Sequence, residues 1–104
     1  MAGATRAVAG GVTDFMSANQ LWELCNSNAL NSGCGAYVEG VADAMSANLP
    51  SGVAGFHACL PANQTIQQVG DVVKRYLQDH PEERGYTAAS VVAKALQQAF
   101  PCSP

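Results

Sequence analysis

The sequence predicts an all-α fold, a compact bundle of about four helices held by two disulfides. Three observations carry this expectation. Apolar residues recur at three- and four-residue steps in four separate stretches, and no stretch shows sustained period-2 alternation. Four cysteines stand in a chain of 104 residues. A chain of that length is one domain. The division expected is a flexible N-terminal segment over residues 1–12 and a single helical domain over 13–104.

The first helix is expected from Thr13 or Asp14, both good caps, to about Ser27. Phe15, Ala18, Leu21, Trp22 and Cys25 form its apolar stripe. "NSNALNSG" then breaks the helix with Asn, Ser and Gly. The second helix opens at Cys34 and runs to about Asn48, with Tyr37, Val38, Val41, Met45 and Leu49 inward, before Pro50 ends it. After the Gly- and Pro-rich "PSGVAGFHACLPAN", Asn63 or Thr65 starts a third helix. Its stripe is Ile66, Val69, Val73, Tyr76 and Leu77, and its polar face carries Gln67, Gln68, Asp71, Lys74, Arg75 and Gln78. "HPEERGY" is a tight connector. Thr87 caps a fourth helix, with Ala88, Val91, Val92, Ala95, Leu96, Ala99 and Phe100 inward and Pro101 as its stop. "NQT" at Asn63–Thr65 matches a glycosylation sequon, yet it also explains itself as a helix start.

Composition narrows the function. Hydrophobic residues make up 48% of the chain and aromatics only 7%, so Ala, Val and Leu must carry the packing. Charged residues amount to 12% and the net charge is −3. With no basic stripe, neither nucleic acid nor an anionic membrane surface is an expected partner. No run approaches the roughly 18 apolar residues that cross a bilayer. The opening "MAGATRAVAGGVTDF" lacks the bulky apolar region of a signal peptide. It reads as either a cytosolic start or the new start of a mature form.

Cys25, Cys34, Cys59 and Cys102 are separated by 9, 25 and 43 residues. An even count in a short chain reads as two disulfides in an oxidising compartment. Paired C-x-x-C spacing is missing, and His57 and His80 form no ligand pair, so no metal and no cofactor is expected. Sequence alone does not choose among three connectivities, but reach favours one. A helix from Cys34 to Asn48 is roughly 22 Å long, and Pro50 to Ala58 spans up to about 30 Å when extended. The chain can therefore return Cys59 to Cys34, which leaves Cys25 with Cys102.

Single residues read mostly as framework. Gly40 sits mid-helix, where close approach of a neighbouring helix is the expected reason. Asp43 reads as solvated and Trp22 as core. His80 stands at a helix end, where a partly positive side chain suits the dipole. Glu82, Glu83 and Arg84 concentrate charge in an otherwise neutral chain and are expected on the surface. No paired carboxylates, Ser-His-Asp arrangement or phosphate-cradling glycine loop appears, so no enzyme is expected and no catalytic residue is assigned.

"LWELC" at Leu21–Cys25, "CGAYVEGVADA" at Cys34–Ala44 and "CLP" at Cys59–Pro61 then combine with "YLQDHPE" at Tyr76–Glu82 and "AFPC" at Ala99–Cys102. Together they resemble the Rap/Tai-type immunity proteins of type VI secretion systems over about residues 15 to 102. The resemblance implies a small, helical, disulfide-bonded periplasmic protein, made with a signal peptide that is removed. It also implies a cognate toxin as partner, typically a peptidoglycan amidase whose cleft is blocked, and often a homodimer.

On that reading the expected contact surface is "HPEERGY", through Glu82, Glu83, Arg84 and Tyr86, with the Gly-rich loop around Val53–His57 and His57 itself. The alternative is an HdeA-like periplasmic acid-stress chaperone or an orphan binding module. A metal or thiol enzyme stands behind both.

Overall fold

A computed structural model describes residues 15–28, 33–47 and 52–102. Among these, four α-helices form the domain: α1 Ala18–Asn28, α2 Cys34–Ala47, α3 Ile66–Asp79 and α4 Ala88–Ala99. A 3-10 turn, Pro81–Glu83, joins α3 to α4. The expected caps Thr13 and Asp14, and the expected second-helix end at Asn48 to Pro50, lie outside the described residues.

α1 begins later than the stripe from Phe15 suggests. Ser17 and Gln20 cap it reciprocally: the Ser17 N–H donates to Gln20 Oε1 at 2.8 Å and the Gln20 N–H to Ser17 Oγ at 3.1 Å. This is the S-x-x-Q capping box, two orphan donors satisfied by two side chains. The chain just before it pairs instead with the start of α4. Ala88 N–H donates to the Met16 carbonyl and Ala18 N–H to the Tyr86 carbonyl, each at 2.8 Å. Phe15 is therefore 86% exposed and not part of the helix's inner stripe.

α3 carries the same device at Thr65, which accepts from Gln68 N–H while the Gln68 side chain accepts from Thr65 N–H. Thr87 occupies the expected cap position of α4 with an extended backbone, but its side chain caps no backbone N–H. Its hydroxyl donates to Ser90 Oγ at 2.8 Å instead.

The core is built from most of the expected stripe positions, but Ile66, at the first turn of α3, is 45% exposed and Ala99, at the end of α4, is exposed as well. Leu21 of α1, Val38 and Met45 of α2, Val73 and Leu77 of α3, and Val91, Val92 and Leu96 of α4 are all almost fully buried. Small residues on α4, Ala88, Ala93 and Ala95, are buried too, so this helix meets α1, α2 and α3 at once. Each large aliphatic chain in such a position contributes roughly 1.5–3 kcal/mol through removal from water.

Close helix approach falls at Gly35 and not at the expected Gly40. A Cβ at Gly35 would lie 2.8 Å from Ile66 Cγ2, whereas nothing stands within 4 Å of that position at Gly40, which is exposed.

The disulfides are Cys25–Cys34 and Cys59–Cys102, with Cα atoms 4.9 Å and 5.0 Å apart. This corrects the expected pairing of Cys34 with Cys59 and Cys25 with Cys102. Residues 52–60 do not bring Cys59 back to the start of α2. They run along α4 toward its C-terminal end, where His57 N–H donates to Gln97 Oε1 and Cys59 N–H to the Phe100 carbonyl, both at 2.9 Å. Cys34 then takes the cysteine just across the α1–α2 connection. In the chain-entropy model the longer closure stabilises by about 4 kcal/mol and the shorter by about 2.5 kcal/mol.

Candidate partner-binding surface

The charged turn between α3 and α4 is anchored from beneath. Tyr76, in the last two turns of α3, is buried and directs its hydroxyl at both carboxylate oxygens of Glu83, at 3.0 Å and 2.9 Å. Lys94 reaches across from α4 and donates to Glu83 Oε2 at 3.2 Å. The His80 ring stacks on Tyr76 at 4.1 Å between centroids and sets Nδ1 3.1 Å from Glu82 Oε2 and 3.7 Å from Glu83 Oε2.

The electrostatics follow from this placement. Burial raises the Tyr76 hydroxyl above its ordinary 10.0, and the hydrogen bond and negative charge of Glu83 push it further the same way. The Glu83 hydrogen bond also raises Lys94. Glu82 is lowered first by a hydrogen bond from its own backbone N–H and then by His80.

Glu83 is consequently a buried structural carboxylate, which corrects its expected place on the surface. A buried charge persists only when paired and hydrogen-bonded, and Tyr76 and Lys94 supply both. His80, Glu82 and Glu83 do bring three ligand atoms within 4.8 Å of one another. Both oxygens of Glu83 are already engaged by Tyr76 and Lys94, so the trio reads as part of a hydrogen-bonded network rather than an open cation site.

Arg84 is also partly withdrawn. Its Nε donates to the Leu77 carbonyl at 2.9 Å, near the C-terminal end of α3, and its guanidinium lies 4.2 Å over the Trp22 ring. Trp22, expected in the core, is half-buried at its edge under this cation. The Arg84 carbonyl in turn accepts from Asn19 N–H at 2.7 Å, tying the turn to the first residues of α1.

Of the expected contact residues in this turn, Glu82 and Tyr86 face solvent freely, Tyr86 at 62% exposure. His57 is exposed as well, but the structure does not bring it beside them. It sits against Gln97, ten residues along α4 from Thr87, about 15 Å at 1.5 Å per residue. Its loop turns tightly. Val53 and Phe56 exchange backbone hydrogen bonds at 2.9 Å and 2.8 Å, and Ala54 and Gly55 take positive φ. Gly52 is required there, because a Cβ would run into the Phe56 carbonyl.

The sequence reading missed Tyr76 and Lys94 as supports of the turn. The α3 stripe places Tyr76 in the core, which holds for its ring. Its seven-residue separation from Glu83 and the helix change to Lys94 leave no local signal.

Among the described residues no helix is long and apolar enough to cross a membrane. No curated protein and no solved structure matches the chain. The family model for Rap1a immunity proteins matches residues 17–102, a span that takes in all four helices, both disulfides and the anchored turn. On that match the chain belongs to the Rap1a immunity protein family.

Proposed function

We propose that this protein is the periplasmic immunity partner of a type VI secretion effector, and that it acts by occluding the cleft of a peptidoglycan amidase. The family match over residues 17–102 carries the reading. Two disulfides and no free cysteine among the described residues suit an oxidising compartment. Occlusion needs no catalytic group. It needs a surface that is already ordered, so that little conformational entropy is lost on binding.

The turn at residues 80–87 meets that need. Glu83, Arg84 and Tyr76 hold its backbone from within, and Glu82 and Tyr86 are left to meet the partner. The His57 loop is the second contact region. An interface of about 800 Å² per partner is roughly 30 Å across and spans the distance between the two.

Glu82→Ala combined with Tyr86→Ala should weaken inhibition of the cognate amidase at least about tenfold while the thermal midpoint holds, because two exposed side chains contribute little to folding. Undiminished inhibition by the double variant would remove this surface.

The proposal extends to a homodimer. Sedimentation showing twice the chain mass of 10.7 kDa would support it, and a monomer at every concentration would end it.

A further inference from the structure

The two disulfides occupy opposite environments. Cys25 and Cys34 are each 1% exposed and belong to the hydrophobic core, beside Leu21 and Val38. Cys59 is exposed and Cys102 half-buried, at the surface where the C-terminal tail leaves α4. We infer that Cys59–Cys102 is the exchange-reactive disulfide of this protein, a modification site at which a dithiol reductant opens an outer clasp while Cys25–Cys34 stays closed.

Thiol–disulfide exchange requires a thiolate to approach one sulfur in line with the bond that breaks. Cys59 is exposed in the folded state, so a thiolate can reach it without an opening of the core. None of the residues adjoining these cysteines in sequence, Ala58, Leu60, Pro101 and Ser103, carries a charge that would repel a thiolate. At Cys25–Cys34 the same approach is blocked until the helices part, so attack there waits on an opening of the core.

One thiolate of the dithiol attacks Sγ of Cys59 and forms a mixed disulfide. The Cys59–Cys102 bond breaks, and Cys102 leaves as a thiolate that takes a proton from water. The second thiol of the reductant, deprotonated, then displaces the Cys59 sulfur. The reductant ends as its own disulfide, and two electrons have passed to this chain.

The reduced product should keep its helices. The Cys59 N–H still donates to the Phe100 carbonyl, the His57 N–H to Gln97 Oε1, and Ala58 between them remains in the core. What is lost is the covalent tie between the loop at 52–61 and the end of α4. Reduction therefore loosens the His57 loop and removes the larger of the two closure contributions to stability, while the retained hydrogen bonds and core keep the bundle folded. This order is kinetic, set by access in the folded state, and it does not depend on the immunity reading.

The test treats the oxidised full chain with dithiothreitol at pH 8 without denaturant. Samples are quenched with N-ethylmaleimide at intervals and read by intact mass, peptide mapping and far-ultraviolet circular dichroism. Cys59 and Cys102 should acquire label at least about tenfold faster than Cys25 and Cys34, with the helical signal retained in the doubly labelled species. Simultaneous labelling of all four, the reverse order, or loss of helix with the first two labels would overturn the inference. A second variant, Cys59→Ser with Cys102→Ser, should take up no label in the fast phase. Fast labelling of that variant would overturn it equally.

Discussion

The hydroxyl of Tyr76 lies 2.9 Å and 3.0 Å from the two carboxylate oxygens of Glu83, so a buried phenol and a buried acid fix the turn between α3 and α4. Lys94 completes the set at 3.2 Å. The arrangement separates the charged turn into residues that hold it and residues that it presents.

Glu83→Ala removes the acceptor that Tyr76 and Lys94 share. The Tyr76 hydroxyl and the Lys94 ammonium then lose the acid that both donate to, which costs about 2 kcal/mol. Urea unfolding should show that loss for Glu83→Ala and almost none for Glu82→Ala. Equal effects at the two positions would mean that Glu83 is not the anchor.

Arg84→Ala should destabilise by about 1–2 kcal/mol, through loss of the hydrogen bond to the Leu77 carbonyl and of the cation over Trp22. Arg84→Lys should recover only part of it, since an ammonium cannot both stack flat on the ring and donate sideways. Trp22 fluorescence reports the contact directly and should change in both variants.

The pH dependence has a definite sign. Tyr76 and Lys94 both have their proton affinity raised in the folded state. A raised folded value means stability that is fully present below the unfolded value and lost as the pH climbs through the folded one. Stability should thus be level near pH 8 and fall above about pH 10, the ordinary tyrosine value. Tyr76→Phe should flatten part of that alkaline fall. An identical fall in the variant would show that Tyr76 does not carry it.

The two α2 glycines should respond differently to alanine. Gly40 faces open space, so Gly40→Ala gains helix propensity and should raise stability by about 1 kcal/mol. Gly35→Ala drives a methyl to 2.8 Å from Ile66 Cγ2 and should offset that gain or reverse it. Thermal melts of the two single variants decide the matter.

The four helices were legible because their apolar spacing survives in the structure: Leu21, Val38, Met45, Val73, Val91 and Leu96 are buried as their positions require. The start of α1 was not. Ser17 and Gln20 carry a capping box that can be read locally, but Thr13 and Asp14 offered an earlier start, and the pairing of Met16 and Ala18 with residues 86–88 is a contact between distant parts of the chain. The cysteine pairing failed for a related reason. Reach along an extended chain shows what is possible, while the path taken depends on Cys59 N–H finding the Phe100 carbonyl. Glu83 and Arg84 read as surface residues because charge usually is, and their partners Tyr76, Lys94 and Trp22 lie on three other helical segments.

The proposed function requires that this chain bind a peptidoglycan amidase and stop it. The most direct measurement mixes the purified oxidised protein with candidate type VI amidases and follows muropeptide release against immunity-protein concentration. A complex that survives size exclusion and stoichiometric loss of hydrolysis are expected for the cognate enzyme, with Glu82→Ala/Tyr86→Ala shifting the titration to higher concentration. Full hydrolysis by every amidase at saturating protein would rule out inhibition of an amidase by this chain.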